Sequence, residues 1–284
     1  MSAHILTGKL LAARIKEEIA SEVSRIRSYY KIQPGLAVLM VGSNSSSQAY
    51  VRGKLQACRE AGFFSFKEVF PEETGETILL ERIQQLNNRP DIHGILVQIP
   101  LPKHIDVDRV MAAVNPDKDV DGFNPINRGK LVVGQSDFIP CTPKGIVELL
   151  QSYDISFAGK HVVIVGRSSV VGKPLALLFL NNDATVTVCH SQTVNLKNIT
   201  LQADILVLAM GQPHAITSDF VNKNTIVVDV GFTRVNGKGC GDAAPDVASK
   251  VRGITPVPGG IGPMTIAMLL KNTLIATKKL NNIN

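Results

Sequence analysis

Leu11, Ile15, Ile19, Val23 and Ile26 recur at spacings of three and four, which predicts an amphipathic helix over about residues 8–30. "PGLAVLMVGSN" then gives a turn signal, a short continuous apolar run and a small polar loop, the pattern of a strand buried on both faces. A helix carrying Tyr50 and Lys54 follows, then "FSFKEVF" as a second strand, a helix over about 75–88, and "IHGILVQIPLP" as a third strand ending at Gln98. Strands alternating with helices of this length predict an α/β layer with a mostly parallel sheet. Residues 114–143 break the rhythm. They are rich in Pro, Gly, Asn and Asp and show little periodicity, so they are expected to form a linker or functional loop and to hold a domain boundary.

Beyond that segment the alternation returns. "HVVIVG", "TVTVCH", "DILVLAM" and "TIVVDVG" read as buried strands with helical segments between them, and a last helix begins near Pro263. The tail "KKLNNIN" is expected to fray. The chain thus reads as two α/β domains, residues 1–140 and 141–284, around a cleft.

Composition narrows the class. Hydrophobic residues at 44% and charged residues at 19% describe a folded globular chain of 284 residues. The formal charge of +6 and pI near 9.1 suit an anionic partner. The basic residues are scattered, however, which favours a small phosphorylated or polycarboxylate molecule over nucleic acid. Cys58, Cys141, Cys189 and Cys240 form no C-x-x-C, and the six histidines show no metal-site spacing, so no metal is expected. No apolar run reaches the ~18 residues of a membrane span, and no signal segment is visible at the start, so a cytoplasmic location without membrane attachment is expected.

Two stretches carry candidate chemistry. "KHVVIVGRSSVVGKPLALLFL" places a glycine turn between a buried strand and a helix, the context of a dinucleotide-binding loop. Gly166 and Gly172 bound the turn, and Ser168 replaces a second glycine. Backbone N–H groups at the following helix N-terminus would favour a pyrophosphate, and Gly172 would let helix and strand approach closely. The next strand ends Cys189-His190-Ser191, without the carboxylate that usually binds an NAD ribose. With Arg167 in the turn and Ser191 nearby, the second domain is predicted to be Rossmann-like and to bind NADP. The other stretch is "SQAYVRGKLQACREAG". It sets Tyr50 and Lys54 one helical turn apart on one face, a spacing that a rim tyrosine and a snorkelling lysine also produce.

Seven segments in order, "SSSQAYVRGKLQACREAG", "GILVQIPLP", "NPDKDVDGFNP", "PCTPKGI", "VGRSSVVGKPLALL", "ATVTVCHS" and "ITPVPGGIGPMTIAMLL", resemble the bifunctional methylenetetrahydrofolate dehydrogenase/cyclohydrolase family. The resemblance implies NADP-dependent oxidation of 5,10-methylenetetrahydrofolate to the 5,10-methenyl cation, followed by hydrolysis to 10-formyltetrahydrofolate. It implies a folate-binding first domain, against which the final helix (about 263–284) returns, and a homodimer. By the same resemblance Lys54 is the base, favoured in its neutral form by burial and by the cationic substrate. Gln98 hydrogen-bonds that lysine. Tyr50 lies against the pterin, Ser47 belongs to the same constellation, and Asp121 clamps the amino-pyrimidine edge. Pro258 and Gly259 match a loop closing over the folate. Gly166, Arg167, Ser168, Gly172 and Ser191 match cofactor contacts, with Phe232 at the nicotinamide end.

Two departures stand out. Phe232 replaces a residue that is usually isoleucine or similar in the family, and "GDAAPDV" carries Pro245 where a short regular segment is expected. Two rival readings are a short-chain dehydrogenase, which also uses Tyr-x-x-x-Lys, and a folate or NADP binder without catalysis. The position of Tyr50 and Lys54, more than a hundred residues before the glycine turn, counts against the former. The presence of both Lys54 and Gln98 counts against the latter.

Overall fold

The computed structural model describes residues 3–283 except Asn236. In chain order the elements are β1 (His4–Ile5), α1 (Lys9–Tyr30), β2 (Gly35–Val41), α2 (Ser45–Glu60), β3 (Phe64–Phe70), α3 (Glu76–Asn87), β4 (Gly94–Val97), α4 (Val107–Ala113) and α5 (Pro125–Val132). There follow α6 (Cys141–Ser152), β5 (His161–Val165), α7 (Gly172–Leu180), β6 (Thr185–Cys189), α8 (Leu196–Thr200), β7 (Ile205–Leu208), β8 (Ile226–Asp229), β9 (Thr233–Val235), β10 (Lys238–Cys240), β11 (Gly253–Ile254) and α9 (Ile261–Leu280). The chain divides into two compact units, Ala13–Cys141 with Ile266 onward, and residues up to Ala12 with Thr142–Thr265.

The first of these is built on a parallel sheet of order β3-β2-β4. Every residue of β2 and β4 is buried, as their unbroken apolar runs require of strands covered on both faces. Ala37, Leu39, Ile95 and Val97 pack with Leu79, Ile83 and Leu86 of α3 into one core. Because the chain runs from β2 to β3 on one side and then from β3 to β4 on the other side of β2, the connections diverge at the carboxyl ends of β2 and β4. Ligands of open α/β sheets bind at such a point.

The segment 114–143 is not a bare linker. It contains α5, and its turns are closed by internal hydrogen bonds. Asp119 accepts from the N–H groups of Phe123 (3.0 Å) and Asn124 (2.8 Å) and from Asn127 Nδ2 (2.9 Å). Side-chain amides here replace the apolar periodicity that sequence patterning detects. The chain's tail is also ordered through Ile283. Lys278 pairs with Glu22 at 2.7 Å, Lys279 with Asp117 and Asp137 at 3.0 and 2.8 Å, and Ile283 is buried.

The second unit carries a six-stranded sheet of order β1-β11-β8-β7-β5-β6, in which every pairing is parallel. Val163, Val165, Leu206, Leu208 and Val227 form its core. Residues up to Ala12 belong to this unit, not to the residues that follow them. The reason is a two-residue pairing, His4 opposite Gly253 and Ile5 opposite Ile254. Between β7 and β8 the connection holds a single 3-10 turn, Ser218–Phe220, where a helix was expected. Pro245 does not break a regular segment. It opens the 3-10 turn Pro245–Ser249, at a first position where its missing N–H has no partner to lose. No described helix is long and apolar enough to cross a membrane.

Candidate active site

The geometry around Lys54 begins with the cap of α2. Asn44 Oδ1 accepts the Ser47 N–H at 3.0 Å, satisfying one of the amides a helix start leaves open. The helix then sets Ser47, Val51, Lys54 and Cys58 on one buried stripe. Lys54 is only 6% exposed, an unusual place for an ammonium-bearing side chain. Its Nζ donates to Gln98 Oε1 at 3.1 Å. Gln98 stands one residue beyond β4, and its N–H extends the ladder by donating to Leu39 O at 2.8 Å. Its own Nε2 donates to Ile99 O at 2.7 Å. That second bond fixes which end of the amide faces the lysine. Tyr50, at the rim and 40% exposed, has its ring centroid 5.6 Å from Lys54 Nζ, within reach of a cation–π contact. Cys58 is fully buried, and burial pushes its thiol up to about 12, so it belongs to the core.

Two carboxylates in one loop have different fates. Asp119 is consumed by the turn it closes, whereas Asp121, two residues on, accepts a contact from the Cys141 thiol at 3.7 Å. Burial pushes the Asp121 carboxyl up, while the positive charge of Lys54 and the Cys141 hydrogen bond pull it the other way. Asn272 of α9 holds this corner together, donating through Nδ2 to Val120 O at 2.8 Å and Ile139 O at 3.0 Å. Cys141 and Asn272 have no role in the sequence reading. The motif "PCTPKGI" contained the first, but only the fold brings either of them to Asp121. Lys54, Gln98, Tyr50, Ser47 and Asp121 thus belong to one unit, with Lys54 and Gln98 at its switch point.

The glycine turn occupies the equivalent position in the other unit, where the chain leaves β5 for β6 on one side and then returns from β6 to β7 on the other side of β5. Gly166 has φ +136°, and a Cβ there would overlap Ala209 O. A Cβ on Gly172 would overlap Gly166 O. Both positions therefore require glycine, as a dinucleotide cradle does. Ser168 closes the turn, its hydroxyl accepting from the N–H groups of Val171 (3.2 Å) and Gly172 (3.4 Å). Arg167 and Ser191 are exposed, and β6 ends without a carboxylate, so the residues present fit a nucleotide bearing a 2′-phosphate.

Phe232 is half exposed and lies over Gly239 of the β9–β10 hairpin. Gly259 is buried at φ +112° and its carbonyl accepts the Gly8 N–H at 3.0 Å, while Pro258 beside it is exposed. His190 is half-buried, its Nδ1 accepting from the Gln192 N–H at 3.2 Å. Two buried carboxylates of this unit, Asp229 and Asp242, were not singled out from sequence, where nothing separates them from loop formers.

The two halves of this arrangement match two family models. The tetrahydrofolate dehydrogenase/cyclohydrolase catalytic domain matches residues 6–121, and the NAD(P)-binding domain of the same enzymes matches residues 140–281. The chain belongs to the tetrahydrofolate dehydrogenase/cyclohydrolase family. It is 50% identical to the bifunctional protein FolD of Halalkalibacterium halodurans over 280 residues, 98% of this chain and 100% of that protein. The bifunctional FolD structure from Campylobacter jejuni is 46% identical, with TM-score 0.95 over 98% of this chain and 99% of the other. The Trypanosoma brucei enzyme, solved with NADP and an inhibitor, is 37% identical, with TM-score 0.94 over 98% of each chain.

Proposed function

We propose that the protein oxidises 5,10-methylenetetrahydrofolate with NADP and hydrolyses the resulting 5,10-methenyl cation to 10-formyltetrahydrofolate. The observation that carries this is the buried Lys54 Nζ held 3.1 Å from Gln98 Oε1, in a chain whose other unit has a glycine turn suited to a dinucleotide.

In the oxidation the chain's task is placement. A carbon between two nitrogens loses hydride readily, because the nitrogens share the positive charge left behind, so proximity accounts for most of the catalysis. Bound NADP supplies the hydride acceptor. Gly166 and Gly172 make room for its backbone, Arg167 and Ser191 meet its 2′-phosphate, Ser168 shapes the turn, and Phe232 borders the nicotinamide end. On the folate side Asp121 accepts two N–H groups from the amino-pyrimidine edge, a planar target suited to a carboxylate. Tyr50 lies against the pterin with Ser47 one turn away, and Pro258 and Gly259 close over the substrate.

In the hydrolysis Lys54, as the neutral amine, takes a proton from the water that attacks the methenyl carbon. Gln98 keeps the amine aimed, and the Lys54 ammonium returns the proton to the ring nitrogen as its bond to the methenyl carbon breaks. Water adds to the methenyl carbon, one C–N bond breaks, and the added hydroxyl loses its proton as the formyl C=O forms, so one water is consumed and one proton released. The protein is further proposed to act as a cytoplasmic homodimer, a reading supported by the family resemblance and checked by light scattering on the purified chain.

The test is optical. Protein supplied with methylenetetrahydrofolate and NADP is expected to generate the methenyl chromophore and then consume it. A protein that binds both ligands yet forms no chromophore overturns the reading.

A further inference from the structure

Beside the glycine turn lies a pair of buried carboxylates that neither step uses. Asp242 is fully buried. Its Oδ2 accepts the N–H groups of Met210 (2.7 Å) and Gly211 (3.1 Å), and its Oδ1 accepts that of Gln212 (2.7 Å). Three consecutive amides after β7 are therefore turned inward onto one side chain. Asp229, the last residue of β8, does the same for the neighbouring loops. It accepts from the N–H groups of Gly231 (3.0 Å), Asp242 (3.0 Å) and Ala243 (2.8 Å). A Cβ on Gly231 would overlap the Asp242 carboxyl, and one on Gly241 would overlap that of Asp229. Glycine at both positions is what lets two carboxylates sit this close to backbone.

The clasp is placed where it matters for a dinucleotide. The cofactor's adenosine half belongs on the β6 side, with Arg167 and Ser191. Its other half must therefore extend over β7 and β8. The loop after β7 abuts the glycine turn, since Ala209 O is what a Cβ on Gly166 would strike. The loop after β8 carries Phe232. By engaging their amides, Asp242 and Asp229 fix both loops and prevent the 210–212 amides from gathering a phosphate.

We propose that Asp242, buttressed by Asp229, is a positioning residue for hydride transfer, holding the loops against which the nicotinamide half of NADP rests. The inference depends on the dehydrogenase/cyclohydrolase reading, and it assigns the clasp to the first step alone.

The test compares two probes on Asp242→Asn, whose side chain offers one oxygen and confronts an inward amide with a second donor. NADP is the whole cofactor, and 2′,5′-ADP is its adenosine half. The expected result, by calorimetry, is an NADP Kd raised about tenfold with the 2′,5′-ADP Kd within about twofold of wild type. Hydrolysis of supplied methenyltetrahydrofolate, run without nucleotide, should keep its wild-type rate. Equal loss of both probes would mean a collapsed domain, and loss of neither would mean an idle clasp. Either result overturns the proposal. If Asp242→Asn does not fold, Asp229→Asn leaves the Asp242 contacts in place and should raise the NADP Kd alone, by roughly threefold. An unchanged NADP Kd there overturns the proposal as well. Wild-type protein that fails to bind NADP or to form the methenyl chromophore would instead sink the underlying functional reading.

Discussion

Lys54 Nζ donates to Gln98 Oε1 while the other end of the same amide donates to Ile99 O. The lysine is thus aimed by a group that the end of β4 itself holds in place. Replacing Lys54 with alanine should lower the cyclohydrolase rate by about 10²–10⁴-fold, the usual loss on removing a positioned base. The oxidation needs no base and should survive, so the methenyl chromophore should accumulate. Gln98→Glu replaces the amide that aims the amine with a carboxylate that pairs with it, and should suppress hydrolysis without removing any packing. Hydrolysis at the wild-type rate in either variant removes the assignment.

Asp121→Asn replaces a two-oxygen acceptor with a group that presents one acceptor and one donor to the pterin edge. The expected effect is a KM for folate raised by about ten- to a hundredfold, equivalent to roughly 1–3 kcal/mol for a mismatched polar pair. NADP binding, measured by thermal shift, should be unchanged because the glycine turn belongs to the other unit. An unaltered folate KM would return Asp121 to the role of a loop residue, a role Asp119 visibly performs.

Arg167 is exposed in the glycine turn, so truncating it removes charge without opening the core. Arg167→Ala should weaken NADP by roughly tenfold or more, as expected for loss of an Arg–phosphate contact, and leave NAD nearly unaffected. The comparison is a pair of calorimetric titrations. Equal losses for the two nucleotides would place the 2′-phosphate elsewhere.

What the sequence revealed, and what it hid, follows from how each feature is encoded. β2, β5, β7 and β8 announce themselves as unbroken apolar runs because both faces are covered. The α1 stripe is legible because Ile15, Ile19, Val23 and Ile26 all face the core. Lys54 and Asp121 are found through local motifs. Asn272 is invisible for the opposite reason, since its acceptors Val120 and Ile139 lie 152 and 133 residues away. The pairing of β1 with β11 is hidden likewise, two residues against two, His4 and Gly253 standing 249 positions apart. Asp119 and Asp121 look alike in "NPDKDVDGFNP", and only the closed turn tells them apart.

Two buried groups make opposite contributions to stability against pH. His93 is 2% exposed, and its Nδ1 accepts the Gly35 N–H at 3.0 Å. Burial, and then the charge of Lys118, hold its pKa down at about 4. The unfolded chain protonates it near 6.5, so its share of stability is complete above that pH and is lost as pH falls toward 4. Asp229 is pushed up to about 6, chiefly by burial, with a smaller contribution from Asp242. A carboxyl with a raised pKa holds its proton more tightly when folded, so its contribution declines as pH rises from about 4 to about 6. Over the shared window the two slopes oppose each other and should largely cancel in the wild type. Single variants separate them. The stability margin of wild type over His93→Gln should shrink by up to about 3 kcal/mol between pH 7 and pH 4, at about 1.4 kcal/mol per pKa unit. Its margin over Asp229→Asn should grow over the same range. Urea unfolding followed by circular dichroism at each pH measures both margins, and margins independent of pH would show that neither group titrates differently in the folded chain.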